Sequence, residues 1–369
     1  MKRIQFVMLG GFLGAGKTTT MSKLAHHYKS KGLNVALVTN DQAVNLVDTN
    51  SLRSQGLTVE EVAGACFCCK FDELVDKVGA LEENSRPDVI IAEPVGSCTD
   101  LVATVVQPLK DLYGNRFEVA PYPVIFKPSH GVKILKGGNE SGFSPKAAYI
   151  FLKQLEEADA IVINRIDELG VSELEDLVQL VVKQFPGVPV LKMSAKNGTG
   201  IDELCVLLDQ KGSFGRKILD INYDIYAEGE AELGWLNSTL QVNSESMIDV
   251  DHMLLDVINK LRKDLVEYNA EVAHLKVIGL ADGAFGVANL VSNGTFPELS
   301  LPSKSKARQF ELIINARVAL DPLILEKIVS DVVKESSSFL NASLVIGKTQ
   351  SFKPGRPVPT HRYSDKDAR

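Results

Sequence analysis

The sequence has no excess of positive charge. Its 369 residues include 40 Lys and Arg against 47 Asp and Glu, which gives a formal net charge of -7. A chain with this balance has no general attraction for nucleic acid phosphates or for anionic lipids. We therefore expect neither a nucleic acid nor a membrane among its partners.

Long apolar runs and regularly spaced cysteines are also missing. The first apolar run, residues 4–9, stops at a glycine too soon for a signal or membrane-spanning segment. Five cysteines in a chain of this length do not suggest a disulfide framework, and three of them crowd into positions 66–69. We expect a cytoplasmic protein whose cysteine cluster requires a chemical explanation.

The first part of the chain alternates short apolar runs with stretches of helical spacing. This alternation predicts a mostly parallel sheet covered by helices, and the length suits two domains. Residues 113–146 lack a clean period and are predicted as an irregular excursion, and residues 211–217 as a linker. The predicted strands are 4–9, 34–39, 88–92, 160–163 and 189–193, and the predicted helices are 17–31, 70–83, 147–157, 172–184 and 201–209.

A different order of elements follows the linker. The pattern predicts a strand near 221–242, a helix near 247–268, strands at 272–281, 284–291 and 309–317, a helix at 321–336 and a strand at 342–348. This βαββαβ-like order is typical of a ferredoxin-like α+β domain, which we place at 218–350. Residues 351–369 are predicted to be a flexible tail.

The segment GFLGAGKT, residues 11–18, fits the phosphate-binding pattern G-x-x-x-x-G-K-[ST] between an apolar strand and a helix. Lys17 is expected to reach the β and γ phosphates, and Thr18 to bind Mg²⁺. The predicted fold class is therefore α/β, with a P-loop NTPase domain over 1–212 before the smaller α+β domain. The nucleotide-binding residues predicted in this loop are Gly11, Gly14, Ala15, Gly16, Lys17, Thr18 and Thr19.

Two further segments end at the same edge of the predicted sheet. Glu93 follows the strand 88–92 and can hold Mg²⁺ through water, while Gly96 can contact the γ-phosphate with its backbone N–H. Asp41 follows the strand 34–39 and is our candidate for orienting the attacking water. Simpler alternatives are that Glu93 caps the next helix and that Asp41 belongs to a turn. Lys17, Asp41 and Glu93 form the predicted catalytic set.

Two later segments resemble the base-reading elements of GTPases. Asn164 to Asp167 resembles N-K-x-D, with Arg165 at the lysine position, and Ser194, Ala195 and Lys196 reproduce S-A-K. The Asp167 carboxylate can accept hydrogen bonds from two guanine N–H groups that adenine lacks. These segments favour GTP over ATP, although Asp167 could instead simply begin the next helix.

The cysteine cluster Cys66, Cys68 and Cys69 lies between the segments that end in Asp41 and Glu93. Three thiolates can share one soft or borderline metal ion and leave a fourth position for another ligand. A helix amino terminus and Lys70 could stabilise thiolate here. The cysteines could alternatively be buried apolar residues or redox groups. Cys98 and Cys205 have no cysteine neighbours in sequence and are interpreted as core residues.

In this order the phosphate loop, C-x-C-C, E-x-x-G, N-x-x-D and S-A-K resemble the CobW/HypB/UreG family of metal-handling P-loop GTPases, and most closely its CobW branch. The resemblance covers residues 1–210, and the domain at 218–350 is similar to the CobW carboxyl-terminal domain. It implies that GTP binding and hydrolysis, with Mg²⁺, control delivery of zinc, cobalt or nickel to a client metalloprotein or a cofactor-assembly pathway such as that of cobalamin. It also implies Cys66, Cys68 and Cys69 as ligands of the transferred metal.

Three departures from the family pattern are visible. Ala65 separates Gly64 from the first cysteine, the segment after the second strand reads Thr39-Asn40-Asp41-Gln42 rather than Glu-Phe-Gly, and the six histidines form no histidine-rich loop. The lack of such a loop argues against bulk metal storage. A GTP-controlled scaffold with structural cysteines is the competing interpretation. A homodimer across the nucleotide is compatible with this class of protein.

Overall fold

The chain divides into two units, each with its own sheets. The first comprises Met1–Ser141, Pro145–Tyr226 and Arg356–Arg369, and the second comprises Gly142–Ser144 and Ala227–Gly355. The computed structural model describes residues 2–41, 52–53, 55–137, 143–281 and 283–366, without the side chains of 41 and 83–85. This division differs from the predicted limits in two places: the first unit continues to Tyr226 rather than ending at 212, and residues from Arg356 onward also belong to it.

Every strand pair of the first unit is parallel among the described residues. The strands form a five-stranded sheet in the order β4-β3-β5-β1-β6 and a four-stranded sheet in the order β2-β7-β8-β9. Only Leu9 separates β1 from β2, so one short run of chain supplies a strand to both sheets. The strands are β1 (Ile4–Met8), β2 (Gly10–Gly11), β3 (Val35–Asp41), β4 (Thr58–Ala63), β5 (Val89–Glu93), β6 (Phe117–Val119), β7 (Pro123–Phe126), β8 (Ala160–Ile163) and β9 (Val190–Lys192).

The five helices that the sequence predicts in this half begin within two residues of their predicted starts, and the further helices α3, α4 and α8 were not predicted. Their inward residues pack on the Val and Ile side chains of the strands, which are buried on both faces of the sheets. A π turn, Val102–Val106, leads directly into α3. The helices are α1 (Lys17–Ser30), α2 (Phe71–Ser85), α3 (Gln107–Tyr113), α4 (Pro128–Lys136), α5 (Pro145–Glu157), α6 (Val171–Gln184), α7 (Ile201–Leu208) and α8 (Tyr223–Ala231).

Three regions differ from the sequence prediction. The excursion at 113–146 contains β6, β7 and α4, whose strands have only three and four residues and so show too little periodicity to be recognised. Strand β4 was missed because it lies at the edge of its sheet and carries the adjacent charges Glu60 and Glu61. The strand predicted near 221–242 begins only at Gly234, because the Asn222 side chain accepts the N–H groups of Asp224 and Ile225 and starts α8.

The second unit is an antiparallel sheet with two long helices. Its order is β13-β12-β11-β14-β10-β15, and one buried cluster contains residues of both helices and of the sheet. The predicted βαββαβ order is present, with β13 added. The elements are β10 (Gly234–Asp249), α9 (Val250–Glu267), β11 (Val272–Ala281), β12 (Ala284–Leu290), β13 (Glu298–Leu301), β14 (Lys306–Val318), α10 (Pro322–Phe339) and β15 (Ala342–Phe352). None of the described helices is both long enough and apolar enough to cross a membrane.

Candidate functional site

The phosphate loop turns sharply between β2 and α1. Gly11, Gly14 and Gly16 have φ values of 136°, 70° and 92°, which side-chain-bearing residues rarely adopt. A Cβ on Gly11 would also lie 2.1 Å from the Ile125 carbonyl oxygen. Lys17 is the first residue of α1, and its ammonium group donates hydrogen bonds to the carbonyls of Gly11 (2.8 Å) and Phe12 (3.3 Å). The loop and its lysine thus sit at the positive end of α1, where phosphate groups bind.

The two predicted Mg²⁺ ligands are in direct contact. The Thr18 hydroxyl donates to the Glu93 carboxylate at 3.1 Å, and the Glu93 side chain is buried at the end of β5. Hydroxyl and carboxylate oxygens are donors that Mg²⁺ accepts, so this pair fits the ion. Gly96 lies so close to the loop that a Cβ would be 2.9 Å from the Leu13 nitrogen. The segment after β5 therefore packs directly on the phosphate loop.

Asp41 is the last residue of β3, which lies between β4 and β5. Two residues earlier, Thr39 pairs in register with Glu93. The backbone of Asp41 is thus at the same sheet edge as the Mg²⁺ pair. Its side chain lies outside the described part of the chain, and its role in orienting water stays a prediction.

Asn164 joins the phosphate loop to the S-A-K loop. Its side-chain amide donates to the Ala15 carbonyl at 2.7 Å, and its side-chain oxygen accepts the Ala195 N–H at 2.9 Å. The side chain is fully buried, so these bonds are shielded from water. The sequence predicts Asn164 as a base ligand; the structure gives it a joining role that a motif alone does not reveal.

The remaining base-reading residues lie on the two loops that Asn164 connects. Asp167 is exposed within the 3-10 turn Ile166–Glu168, and Lys196 is exposed beside the buried Ser194. Arg165 has a left-handed backbone and its guanidinium pairs with Glu168 at 2.6 Å. The structure therefore brings both predicted segments to the side of the phosphate loop, with Asp167 accessible to a ligand.

The cysteine motif forms a tight turn between β4 and α2. Gly64 has a φ of 88°, and the backbone N–H groups of Cys69 and Lys70 both donate to the Cys66 carbonyl at 3.0 Å. Cys66 and Cys68 are buried, whereas Cys69 is half-buried. The Cys68 and Cys69 sulfur atoms are 3.7 Å apart. Two thiolates on one tetrahedral zinc ion with Zn–S bonds of about 2.3 Å would be roughly 3.8 Å apart, so this pair already has a suitable spacing.

A fourth thiol, Cys98, belongs to the same cluster. It follows Gly96 and is within hydrogen-bonding reach of the Cys68 sulfur, as are Cys66 and Cys69. These hydrogen bonds, together with burial, raise the pKa of Cys68 well above its usual range, while the bond from Cys68 lowers the pKa of Cys69. The interpretation of Cys98 as an isolated core residue was incomplete. The sequence did contain one signal that Cys98 lies near the other thiols: it comes just after E-x-x-G, at the same edge of the sheet.

The thiols lie close to one another, but they are not arranged as a complete set of metal ligands. Among the described residues, no group of three or more His, Cys, Asp or Glu side chains is arranged to hold a metal ion. Binding of a cation would replace the thiol protons that now form hydrogen bonds between sulfurs, and would require the side chains to turn toward the ion. The assignment of Cys66, Cys68 and Cys69 as ligands stays a prediction.

Asn40 connects the cysteine motif to the end of β3. Its side-chain amide donates to the carbonyls of Val62 (2.9 Å) and Ala65 (2.7 Å), and its side-chain oxygen accepts the Phe67 N–H at 2.9 Å. All three partners flank or belong to the turn that carries the thiols. A buried side chain that uses its donors and its acceptor in this way fixes that turn relative to β3.

Glu157 supports the segment that carries Cys98. Its carboxyl group accepts the Val102 N–H at 3.0 Å and the Thr99 hydroxyl at 3.4 Å, and the neighbouring Gln154 amide donates to the Cys98 carbonyl at 2.7 Å. Glu157 is fully buried, and this burial raises its pKa to about 8. The carboxyl group is therefore protonated in the folded protein at neutral pH.

We expect Glu157 to make the folded protein less stable as the pH rises. The folded state keeps the proton up to about pH 8, whereas the unfolded chain releases it near 4.5. The free energy of unfolding should thus fall by on the order of 5 kcal/mol from below pH 4.5 to above pH 8 through this group. Urea unfolding between pH 5 and 8.5 would measure this, with Glu157→Gln expected to flatten the decline and Glu156→Gln to leave it unchanged. Parallel curves for all three proteins would contradict the expectation.

Comparison with known proteins adds independent observations. The CobW/HypB/UreG nucleotide-binding domain profile matches residues 5–192. The zinc chaperone YeiR of Escherichia coli is 30% identical over 168 residues, covering 43% of this chain and 46% of the relative. The zinc chaperone CobW of Sinorhizobium is 27% identical over 221 residues, covering 53% of this chain and 60% of the relative. The chain thus spans about half the length of these curated relatives.

A likeness to solved structures extends over most of the chain. The crystal structure of Zn(II)-bound YjiA GTPase from E. coli covers 90% of this chain and 99% of its own, with 13% identity and a TM-score of 0.38. The matched region of the sequence profile, 5–192, contains the phosphate loop, the cysteine motif and Asp167.

Proposed function

Since the chain belongs to the CobW/HypB/UreG family, we propose that it is a GTPase that binds a transition metal through its cysteine motif and delivers it to a client protein. Zinc is the first candidate for the cargo, because two of the relatives are named zinc chaperones. Cobalt and nickel are the alternatives. The client would be a metalloprotein or an enzyme of cofactor assembly, and a reducing, cytoplasmic compartment would keep the thiols free to bind metal.

The proposal rests chiefly on the position of Asn40. Thr39 pairs with Glu93 of the Mg²⁺ pair, while the next residue, Asn40, holds the turn that carries the thiols. One strand end therefore contacts both the nucleotide side and the cysteine side of the site. A ligand that moves this strand end in one nucleotide state would also move the cysteine turn, and this is what coupling between the two sites requires.

In the proposed hydrolysis, Lys17 binds the β and γ phosphates and the backbone of the phosphate loop orients them. Thr18 and Glu93 would hold Mg²⁺, which neutralises phosphate charge when bound. Asp167 selects guanine, and Asp41 orients the attacking water. Each of these residues lies at the carboxyl edge of the parallel sheets or on a loop that begins there.

The chemistry of the thiols supports a soft or borderline cation as cargo. Sulfur ligands favour zinc and similar ions over Mg²⁺ or Ca²⁺. Cys98 would bring the number of thiols to four, which is the coordination number of zinc. Because Cys68 has a raised pKa, uptake of the metal must release protons, and the affinity for the metal would depend on pH.

Zinc titration in different nucleotide states tests the proposal. The purified full chain would compete with a chromophoric chelator for zinc in the presence of a GTP analogue, of GDP or of no nucleotide. We expect zinc affinity to differ at least fivefold between the nucleotide states. The Cys66→Ser/Cys68→Ser/Cys69→Ser variant should lose tight binding, and Cys98→Ser should weaken it.

In the same titration, the Asn40→Ala variant distinguishes zinc binding itself from the response of zinc affinity to the nucleotide. Removing its hydrogen bonds should cost about 1–3 kcal/mol of folding free energy. The variant should still bind zinc but should respond to nucleotide less than twofold. If wild-type zinc binding is absent or indifferent to nucleotide, the metal-delivery proposal is wrong and a GTP-controlled scaffold with structural cysteines becomes the better account.

A further inference from the structure

The cysteine motif is covered by a segment from far along the chain. Residues 356–363, here called the strap, belong to the first unit although they follow the whole second unit in sequence. The Thr360 N–H donates to the Cys68 carbonyl at 2.8 Å, and the Thr360 hydroxyl donates to the Cys69 carbonyl at 3.3 Å. The Val358 backbone N–H lies toward the Cys69 sulfur and lowers the pKa of this thiol. The strap therefore contacts both the backbone and a thiol of the cysteine motif.

An ion pair between a partly exposed arginine and a buried aspartate anchors the strap just beyond these contacts. The Arg362 guanidinium donates to the Asp100 carboxylate at 2.7 Å, and the Asp100 side chain is 1% exposed. The Tyr223 hydroxyl donates to the same carboxylate oxygen at 2.8 Å. Because Asp100 follows Cys98 by two residues, the anchor holds the strap on the second cysteine segment as well as on the first.

Two aromatic residues of the strap, His361 and Tyr363, make further contacts with the first unit. The His361 ring meets the Phe71 ring edge-on, with centroids 5.1 Å apart, and Phe71 follows directly on the cysteine motif. The Tyr363 N–H donates to the Ala103 carbonyl at 3.0 Å, and its hydroxyl donates to Asp111 at 2.7 Å. By contrast, Arg356 at the start of the strap pairs with Asp224 where both side chains are more than half exposed.

We propose that the strap is a working part of the cysteine site, and that the Arg362–Asp100 pair controls how often Cys69 is uncovered. An open strap would expose the Cys69 sulfur and would free the Cys68 and Cys69 carbonyls that Thr360 now binds. Entry and exit of a soft cation would then be limited by opening of the strap. The statement about metal exchange rests on the proposed function, whereas the control of Cys69 does not.

The rate of thiol alkylation tests the control of Cys69 without any metal. Metal-free full-length protein would be treated with iodoacetamide, and the modification of each cysteine followed by peptide mass spectrometry. Arg362→Gln and Asp100→Asn should each speed the modification of Cys69 at least fivefold. Their combination should add little, because both variants break the same pair.

The matched control is Arg356→Gln, which removes the exposed pair of the same strap and should leave the Cys69 rate unchanged. Cys205, buried in α7, reports general loosening in the same digests. Equal acceleration at Cys69 and Cys205, or an unchanged Cys69 rate in both anchor variants, would overturn the proposal.

Zinc transfer to an excess of chelator tests the consequence for metal. We expect Arg362→Gln to release zinc at least fivefold faster than wild type and Arg356→Gln to match wild type. If the chain binds no zinc but Arg362→Gln still speeds the alkylation of Cys69, the metal-delivery proposal fails and the strap proposal stands. If zinc binds and leaves at the same rate in all variants, the strap does not limit exchange and that part of the inference is wrong.

Discussion

Replacing Lys17 with alanine should slow GTP hydrolysis by about 10²–10³-fold, the usual effect of losing one preorganised donor to a reacting group. The Lys17 side chain is 6% exposed and its ammonium group is held against the Gly11 carbonyl inside the phosphate loop. Single-turnover release of phosphate, at GTP concentrations that saturate each protein, measures the effect on the chemical step.

The exposed Lys23 on the same helix provides the control for this experiment. Lys23→Ala changes the same charge on α1 and should hydrolyse GTP within twofold of the wild-type rate. Thermal unfolding of both variants would separate lost chemistry from lost folding. A Lys17→Ala rate close to wild type would mean that the loop does not bind the reacting phosphates.

Asp167→Asn should weaken GTP binding by about 10²-fold or more, because hydrogen bonds to a charged group contribute roughly 1.5–3 kcal/mol each. The Asp167 carboxylate is exposed on the turn after β8 and can accept both guanine N–H donors. An asparagine side chain offers one donor and one acceptor, which suits xanthine instead. The variant should therefore bind xanthosine triphosphate more tightly than GTP.

Titration with fluorescent nucleotides measures this change in preference from GTP to xanthosine triphosphate. Asp176→Asn, an exposed change on α6, should keep the wild-type preference for GTP. If wild type binds ATP as tightly as GTP, or if Asp167→Asn leaves GTP affinity unchanged, the guanine assignment is wrong.

Residues that act within a short, contiguous motif were the ones predictable from the sequence. The phosphate loop and Asp167 each follow an apolar strand, and parallel strands bring their carboxyl ends to one edge. Residue types and strand order were sufficient to predict where these segments lie, whereas their binding of nucleotide stays a prediction. The fold class of the first unit follows from the same strands.

Contacts between distant segments could not be predicted in this way. Cys98 has no periodic or spacing relation to the cysteine motif, and only the packing of the segment after β5 brings the two together. The strap is rich in proline and charge, a composition that indicates a mobile tail, and its docking depends on contacts with distant residues such as the buried Asp100. Asn40 belongs to an Asn-Asp pair, which is equally typical of a turn. Its three hydrogen bonds therefore could not be predicted from the sequence either.

The long stretch of sequence between the cysteines and the strap has a consequence during translation. The hydroxyl of Thr360 reaches the Cys69 carbonyl across 291 residues of sequence. At about 5–20 residues per second, a ribosome needs roughly 15 to 60 s to synthesise the chain between them. During that interval the thiols of a nascent first unit lack the strap, which can dock only after residues 356–363 have been synthesised. Newly made and mature protein should therefore differ in how readily cellular metals and oxidants reach Cys69.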